Sequence, residues 1–238
     1  MANHGLVNYG AYRSFALSNG STTYVNLCND HKNINITVPI LEELKQFGLD
    51  FSYVQNHQDR NTIGYYGYGC NIMMSMKKLS LENDCLRLKR GDGLIINLDK
   101  VESTDKYDDY FSKKEKIYAR IIKAEPNYFT LSDLYGNYWD YRSSYYMLPS
   151  TVKYNHYTYT STYVNNKVVF TREDGLEKIE LTIQTLSQDY SICAKIEYFV
   201  KDSNGVFQLN RSYTFTFENN YCTRITDVFD NKTVNKYE

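Results

Sequence analysis

Proline is scarce in this sequence, and neither a secretory leader nor a long apolar run is visible in it. The chain has 3 prolines among 238 residues. Its opening segment, MANHGLVNYGAYRSFALSNG, lacks both the positively charged start and the continuous apolar stretch of a secretory signal. No later stretch approaches the roughly 18 apolar residues of a membrane-spanning helix. These absences predict a soluble chain without a membrane span, and they leave its cellular location open.

An excess of charge of either sign is also missing. The chain carries 27 Lys and Arg against 28 Asp and Glu, which gives a formal net charge of -1. Proteins that bind nucleic acid usually present a strongly basic surface to the phosphates. The composition therefore argues against a nucleic-acid partner.

The cysteines lack the spacing of a metal site or of a disulfide framework. They are 5 in number, far apart, and include no C-x-x-C pair. Because free cysteine is usually buried, we expect mostly free, partly buried thiols, with no metal and no cofactor. The cysteines are Cys28, Cys70, Cys85, Cys193 and Cys222.

Common catalytic patterns are absent as well. The histidines lie tens of residues apart without H-E-x-x-H spacing, and no G-x-S-x-G segment occurs. The acidic cluster Asp105, Asp108 and Asp109 lacks EF-hand spacing and favours a solvated loop. Carboxylates for glycoside hydrolysis can come from distant strands, but nothing in the sequence selects a pair. We expect no catalytic residues; the histidines are His4, His31, His57 and His156.

Aromatic residues are abundant, and they alternate with polar ones. The chain has 25 Tyr and 11 Phe, residue types that suit a pleated, half-buried surface. From Leu94 onward, apolar or aromatic side chains recur at every second position, which indicates strands with one buried face. The predicted buried sets are Leu94, Ile96 and Leu98; Ile179, Leu181 and Ile183; Ile192, Ala194, Ile196, Tyr198 and Val200; Tyr157, Tyr159 and Tyr163; and Tyr213, Phe215 and Phe217.

Glycine turns separate these strands. The segments RGDGL, DLYGNY, REDGL and KDSNGV place Gly93, Gly136, Gly175 and Gly205 beside Asp or Asn, a combination that favours tight hairpins. The pattern predicts an all-β fold of successive antiparallel hairpins that form a curved sheet, a sandwich or a partial β-shell. We expect a single domain over 1–238, with a subdivision near 100–117 as the alternative.

Two segments do not fit the strand pattern. VPILEELKQFG has Pro39 near its start, a stripe of Leu41, Leu44 and Phe47, and Gly48 as a stop, so it predicts a helix of about two turns. The charged segment 102–116 lacks periodicity and predicts a surface loop or a second short helix.

The segment YGYGCNIMMSMKKL, residues 66–79, brings Gly64, Gly67 and Gly69 close together. A phosphate-binding loop would need these glycines to open a helix. Without a G-K-S/T signature, the segment favours a tight bend in which the glycines allow close approach of the backbone. Gly69 is thus expected to be a structural turn.

The segment YGNYWDYRSSYYM is the main candidate for a ligand site. Trp139 and Tyr141 would share one strand face, followed by Tyr145 and Tyr146, and exposed aromatic rings of this kind stack on sugars or bases. The alternative is that Trp139, as the only tryptophan, anchors the core.

Taken in order, several motifs resemble the N-terminal shell portion of the Rhs/YD-repeat family, large β proteins of bacterial surfaces and polymorphic toxins. The resemblance covers roughly 21–230 and departs from the family pattern at Cys70, where the family usually has tryptophan. The motifs are STTYVNLCNDHKNINITV, LDFSYVQN, YGYGCNIMMSMKKL, LKRGDGLIINL, YFTLSDLYGNYWDY and VVFTREDG.

This resemblance implies strands wound into a shell or spiral, often around a C-terminal cargo, in a secreted or surface protein. It carries over no catalytic residue. The first hypothesis for function is a non-catalytic structural or interaction module that pairs through an open edge strand with other β-repeats or a partner chain. The alternative is a carbohydrate-binding β-sandwich with its aromatic platform around Trp139; a hydrolase with strand-borne carboxylates is the least favoured.

Overall fold

The computed structural model describes residues 12–16, 22–26, 34–55, 61–141, 147–186, 191–228 and 232–236. Strand is the dominant element throughout these ranges. Strands β1 to β11 are Tyr12–Ala16, Thr22–Asn26, Ile34–Val38, Tyr53–Gln55, Ile63–Gly64, Gly67–Tyr68, Cys70–Ile72, Met76–Glu82, Cys85–Arg90, Ile95–Ser103 and Tyr107–Ser112. Strands β12 to β22 are Ile117–Ile122, Thr130–Asp133, Tyr138–Asp140, Thr151–Tyr154, Tyr157–Val164, Lys167–Arg172, Glu177–Thr185, Ser191–Lys201, Phe207–Glu218, Tyr221–Asp227 and Lys232–Lys236.

A small N-terminal sheet comes first in the chain. Its strands pair in the order β1-β2-β3-β4-β7, and every neighbouring pair is antiparallel. A 3₁₀ helix, Glu42–Phe47, joins β3 to β4. It ends at Gly48, which has φ of 75° and donates its N–H to the carbonyl oxygen of Lys45 at 3.0 Å. The predicted stop is therefore confirmed, and the helix has the expected two turns, although it is a 3₁₀ helix.

The rest of the chain forms a long, open, curved sheet. From β8 to β22 each strand pairs antiparallel with the next strand in sequence, so the sheet is a continuous run of hairpins. At its far end, Tyr221 of β21 also pairs with Gly67 of β6. The predicted all-β fold of successive antiparallel hairpins is confirmed.

Two hydrophobic cores lie along this sheet. The major core lies where the N-terminal sheet packs against the strands from β15 to β21. The minor core lies within the curl of β8 to β14. Trp139 packs against both cores. The major core includes Val38, Phe51, Tyr66, Phe170, Ile196 and Ile225, and the minor core includes Leu86, Leu88, Leu98, Tyr110, Ile121 and Leu131.

The alternation predicted from sequence holds in the central strands. Ile179, Leu181 and Ile183 of β18 are all buried in the major core, as are Tyr213 and Phe215 of β20. Stacking of a strand's apolar face on the N-terminal sheet explains the pattern, because only one face of each strand points inward.

The prediction of a loop or helix over 102–116 is wrong. Strand β10 extends to Ser103, and β11 occupies 107–112, so the segment is a β-hairpin followed by the turn to β12. Tyr110 is fully buried in the minor core, Asp109 points to the opposite face beside Arg120, and Asp108, on the same face as Tyr110, is half-buried near the start of the strand. The charges that concealed the strand in the sequence are Asp109 on its outer face and Asp108 near its first residue.

Candidate functional site

The glycine segment 64–69 is a structural corner. A Cβ placed on Gly64 would lie 2.3 Å from the carbonyl oxygen of Cys70, and one on Gly67 would lie 2.2 Å from that of Asn220. The amide of Gly69 donates to the carbonyl oxygen of Thr62 at 2.9 Å, and strand β7 follows directly. The glycines thus allow chain segments to touch, as expected for the tight bend, and they do not open a helix.

Two of the four predicted glycine turns share one construction. In segment 90–94 the Arg90 side chain donates to both carboxylate oxygens of Asp92, at 3.1 and 2.7 Å. The Asp92 Oδ1 also accepts the amide of Leu94 at 3.1 Å, and Gly93 has φ of 86°. Segment 172–176 repeats this arrangement, with an arginine-aspartate bond of 2.8 Å and an aspartate-amide bond of 2.9 Å.

The other two turns share a second construction. Asp133 Oδ1 accepts the amides of Tyr135 and Asn137 at 2.8 and 3.0 Å, with Gly136 at φ of 83°. In segment 202–206 the leading aspartate accepts the amides two and four residues later, at 2.9 and 3.0 Å. All four predicted glycine turns are therefore chain reversals closed by an aspartate side chain.

The sheet has two chemically different rims. Because successive hairpins alternate between the two ends of the strands, the four aspartate-glycine turns all lie on one rim. The opposite rim carries two-residue turns in which both residues have positive φ. These turns are Asn83-Asp84, Asn165-Asn166 and Asn219-Asn220. Sequence reasoning missed them, although paired Asn and Asp residues between alternating segments are a recognised hairpin signal.

The structure describes two residues of the predicted aromatic platform, Trp139 and Tyr141. Neither forms an exposed platform on the surface. The Trp139 Nε1 donates to the carbonyl oxygen of Gly48 at 3.2 Å, and its ring lies between the two cores. Tyr141 is buried, stacks on Phe129 with ring centroids 5.0 Å apart, and donates its hydroxyl to the Met74 carbonyl at 2.9 Å. Tyr145 and Tyr146 lie outside the described residues.

A buried acidic residue lies beside one glycine turn. Tyr159 donates its hydroxyl to Glu177 Oε2 at 2.7 Å, and the Arg172 guanidinium donates to the other carboxylate oxygen. Burial, followed by the bond to Glu177, raises the pKa of Tyr159. Because both carboxylate oxygens have partners, the arrangement is suited to structural pairing rather than to proton transfer.

The acidic cluster 105–109 is held by neighbouring side chains. Asp108 accepts the Ser103 hydroxyl at 2.6 Å, and Asp109 accepts two N–H groups of Arg120, each at 2.7 Å. Asp105 is exposed in the turn after β10. Across the described ranges, no three His, Cys, Asp or Glu side chains come close enough together to hold a metal ion. Of the four histidines, only His156 is described, and it is exposed.

The four cysteines that the structure describes are free thiols, as predicted, and Cys28 lies outside the described residues. Cys70, Cys193 and Cys222 are buried in the major core. Burial raises the pKa of Cys70 and Cys222 to about 12 and also raises that of Cys193. Because the thiolate is the reactive form, these groups are poor nucleophiles.

The buried thiols predict a loss of stability in alkali. Burial raises the pKa of Cys70 and Cys222 from 9.0 to about 12, so the unfolded chain gives up these protons first. Their contribution is complete below pH 9 and decreases between pH 9 and about 12, by about 1.4 kcal/mol per pH unit for each thiol. We expect the urea midpoint to fall steeply from pH 9 upward; a midpoint that stays constant over this range would contradict the assignment.

Strand β8 is an open edge of the long sheet. On one side it pairs with β9, and on the other the Met76 amide donates to the Met147 carbonyl at 2.9 Å. Beyond Met76, no backbone bond within the described residues joins this outer side to another strand. A cleft of about 340 Å³ lies beside the edge, between Lys78 and Leu79 on one wall and Phe129 on the other. Among the described residues, therefore, the outer backbone groups of β8 beyond Met76 have no strand partner.

The outer part of β8 also displays apolar side chains between charges. Leu79 and Leu81 are each 40% exposed, with Lys78 before them and Glu82 after them. The Lys78 Nζ donates to the carbonyl oxygen of Pro126 at 2.6 Å, which leaves two of its three N–H donors available. Edge strands of monomers usually avoid exposed apolar pairs, because such pairs promote association.

No family model matches the sequence, and no curated protein matches it significantly. Within the described residues, no helix is long and apolar enough to cross a membrane.

Proposed function

We propose that this chain is a non-catalytic structural and interaction module that acts through edge-strand pairing. The long sheet forms a wall, and β8 is the edge strand that pairs with β8 of a second copy of the chain. The observation that carries the proposal is the open side of β8, where exposed leucines lie between opposite charges.

The sequence of β8 is self-complementary in an antiparallel pair. The segment Lys78-Leu79-Ser80-Leu81-Glu82 can meet a second copy about a two-fold axis at Ser80. In that register Lys78 lies opposite Glu82 of the other copy, and Leu79 lies opposite Leu81. Each favourable cross-strand pair contributes about 0.2–1 kcal/mol, and two-fold symmetry makes each of them occur twice.

This arrangement is compatible with the first unit of an Rhs/YD-repeat-like wall. The run of consecutive hairpins from β8 onward supports such a role, since a wall of this kind can be extended at an edge. The concave side of β15 to β21 is filled by the N-terminal sheet. The unit would therefore contribute a packed wall segment rather than an enclosure for cargo.

A charge-reversal series tests the pairing. Glu82→Lys places two lysines opposite each other at both ends of the paired segment, so we expect about tenfold weaker self-association. The double variant Lys78→Glu with Glu82→Lys restores opposite charges and should recover the affinity. Sedimentation velocity over a wide range of concentration measures the association, and amide hydrogen exchange shows whether residues 78–82 become protected.

The control is Glu218→Lys, which makes the same change of charge at an exposed position on another strand. It should leave association unchanged. A chain that stays monomeric at every concentration, with no added protection of the β8 amides, would overturn the proposal. So would a Glu82→Lys variant that associates as well as the parent.

A further inference from the structure

A groove of about 540 Å³ lies on the face of β11 to β14 that points away from the minor core. Alternation along these strands produces it. Ala119 and Ile121 of β12 point into the core, and Tyr118 and Arg120, which alternate with them, are exposed. The groove is thus built entirely on sheet strands, which hold side chains more rigidly than loops do.

Two tyrosines form the walls of the groove. Tyr118 of β12 pairs with Ser132 of β13, which in turn pairs with Tyr138 of β14. Since neighbouring strands lie about 4.8 Å apart, the two tyrosine backbones are separated by about 10 Å, with a serine hydroxyl between them. Tyr118 is 40% exposed and packs against Phe111, with the ring centroids 4.4 Å apart.

A fixed ion pair lies next to these walls. The Arg120 Nε and Nη2 each donate to Asp109 at 2.7 Å, and the guanidinium lies 3.9 Å from the centre of the Tyr107 ring. Thr130 stands opposite Arg120 in the register. The bond to Asp109 raises the pKa of Arg120, and the guanidinium and the carboxylate carry opposite charges. The groove therefore offers hydroxyl, guanidinium and carboxylate groups without a large net charge.

These features select the kind of ligand. A peptide cannot join this face as an added strand, because β12 and β13 already pair on both sides. A ligand must instead bond to side chains and lie against aromatic rings. A sugar has apolar C–H faces that suit aromatic rings and hydroxyl edges that suit Arg120, Asp109 and Ser132. We propose that this groove binds a neutral carbohydrate, with a sugar ring between Tyr118 and Tyr138.

The proposal goes beyond the edge-pairing function and uses a different surface, so either can fail without the other. It also differs from the platform predicted around Trp139, whose side chain points into the interior. Tyr138 lies next to Trp139 in the chain, but strand alternation places the two rings on opposite faces.

A neutral glycan array and NMR titration with neutral mono- and oligosaccharides test the site. The parent chain should bind, and Tyr118→Ala should weaken binding about tenfold, because one stacking ring is lost. Ser132→Tyr should abolish binding by filling the space between the walls. Circular dichroism confirms that each variant is folded.

Tyr135→Ala is the matched control. Tyr135 is 91% exposed at a turn outside the groove, so its loss should leave binding unchanged. The proposal would be overturned if the parent bound none of the neutral sugars or only acidic glycans. Unchanged binding by both folded groove variants would also overturn it.

Discussion

Replacement of Gly67 by alanine should destabilise the protein by about 3 kcal/mol or more. Gly67 has φ of 91°, and an added Cβ would lie 2.2 Å from the carbonyl oxygen of Asn220. That carbonyl cannot easily move, because it accepts the Tyr68 amide at 2.9 Å and belongs to the turn between β20 and β21. Urea unfolding measures the loss as a shift of the midpoint.

The expected loss at Gly67 has two causes, the positive φ and the contact with the Asn220 carbonyl oxygen, and the variant Gly136→Ala separates them. Gly136 has a similar φ of 83°, but a Cβ there would have nothing within 4 Å. It should cost only the backbone strain of an alanine with positive φ, about 1–2 kcal/mol. Equal losses for the two variants would show that the contact between the corner and the turn at Asn220 contributes little.

Trp139→Ala should cost about 3–5 kcal/mol, the second large effect. The substitution removes the ring that packs against both cores and leaves the Gly48 carbonyl without its indole donor. Trp139→Phe keeps most of the packing and should lose about 1–2 kcal/mol, mainly from the missing hydrogen bond. The measurement is again urea unfolding, monitored by circular dichroism.

Tyr135→Ala provides the reference for an exposed aromatic on a neighbouring turn. With 91% of its surface exposed, Tyr135 should change stability by no more than about 0.5 kcal/mol. A Trp139→Ala variant with a loss this small would mean that the cores do not depend on the tryptophan.

Strands with one wet and one dry face were predictable from local pattern. Ile179, Leu181 and Ile183 needed only a period of two, and the aspartate-glycine turns needed only the positive φ that glycine allows. Both signals lie within a few residues of sequence. They are strong because burial of one face and reversal of the chain impose local requirements.

Reliance on local pattern also explains why the strands within 102–116 were predicted to be a loop or a helix. Strand β11 buries Tyr110 and Ser112 but also carries the adjacent charges Asp108 and Asp109, one on each face, so its mean polarity resembles that of a loop. The position of Trp139 was not fixed by sequence either. Its partners come from the N-terminal sheet and from both parts of the long sheet, and curvature brings these together.

The groove was beyond sequence reasoning for a related reason. Tyr118 and Tyr138 are 20 positions apart and become neighbours across Ser132 only when the register of three strands is known. A shift of one residue in either ladder would turn one of the rings toward the core. Pattern alone identifies candidate strands, but pairing decides which side chains share a surface.

The order in which the major core is built has a consequence for biosynthesis. Its N-terminal residues, such as Phe51 and Tyr66, pack against Phe170, Phe215 and Ile225. During translation the N-terminal sheet leaves the ribosome long before those partners exist. We therefore expect the N-terminal sheet to remain accessible to chaperones until the strands that carry Phe170, Phe215 and Ile225 have emerged.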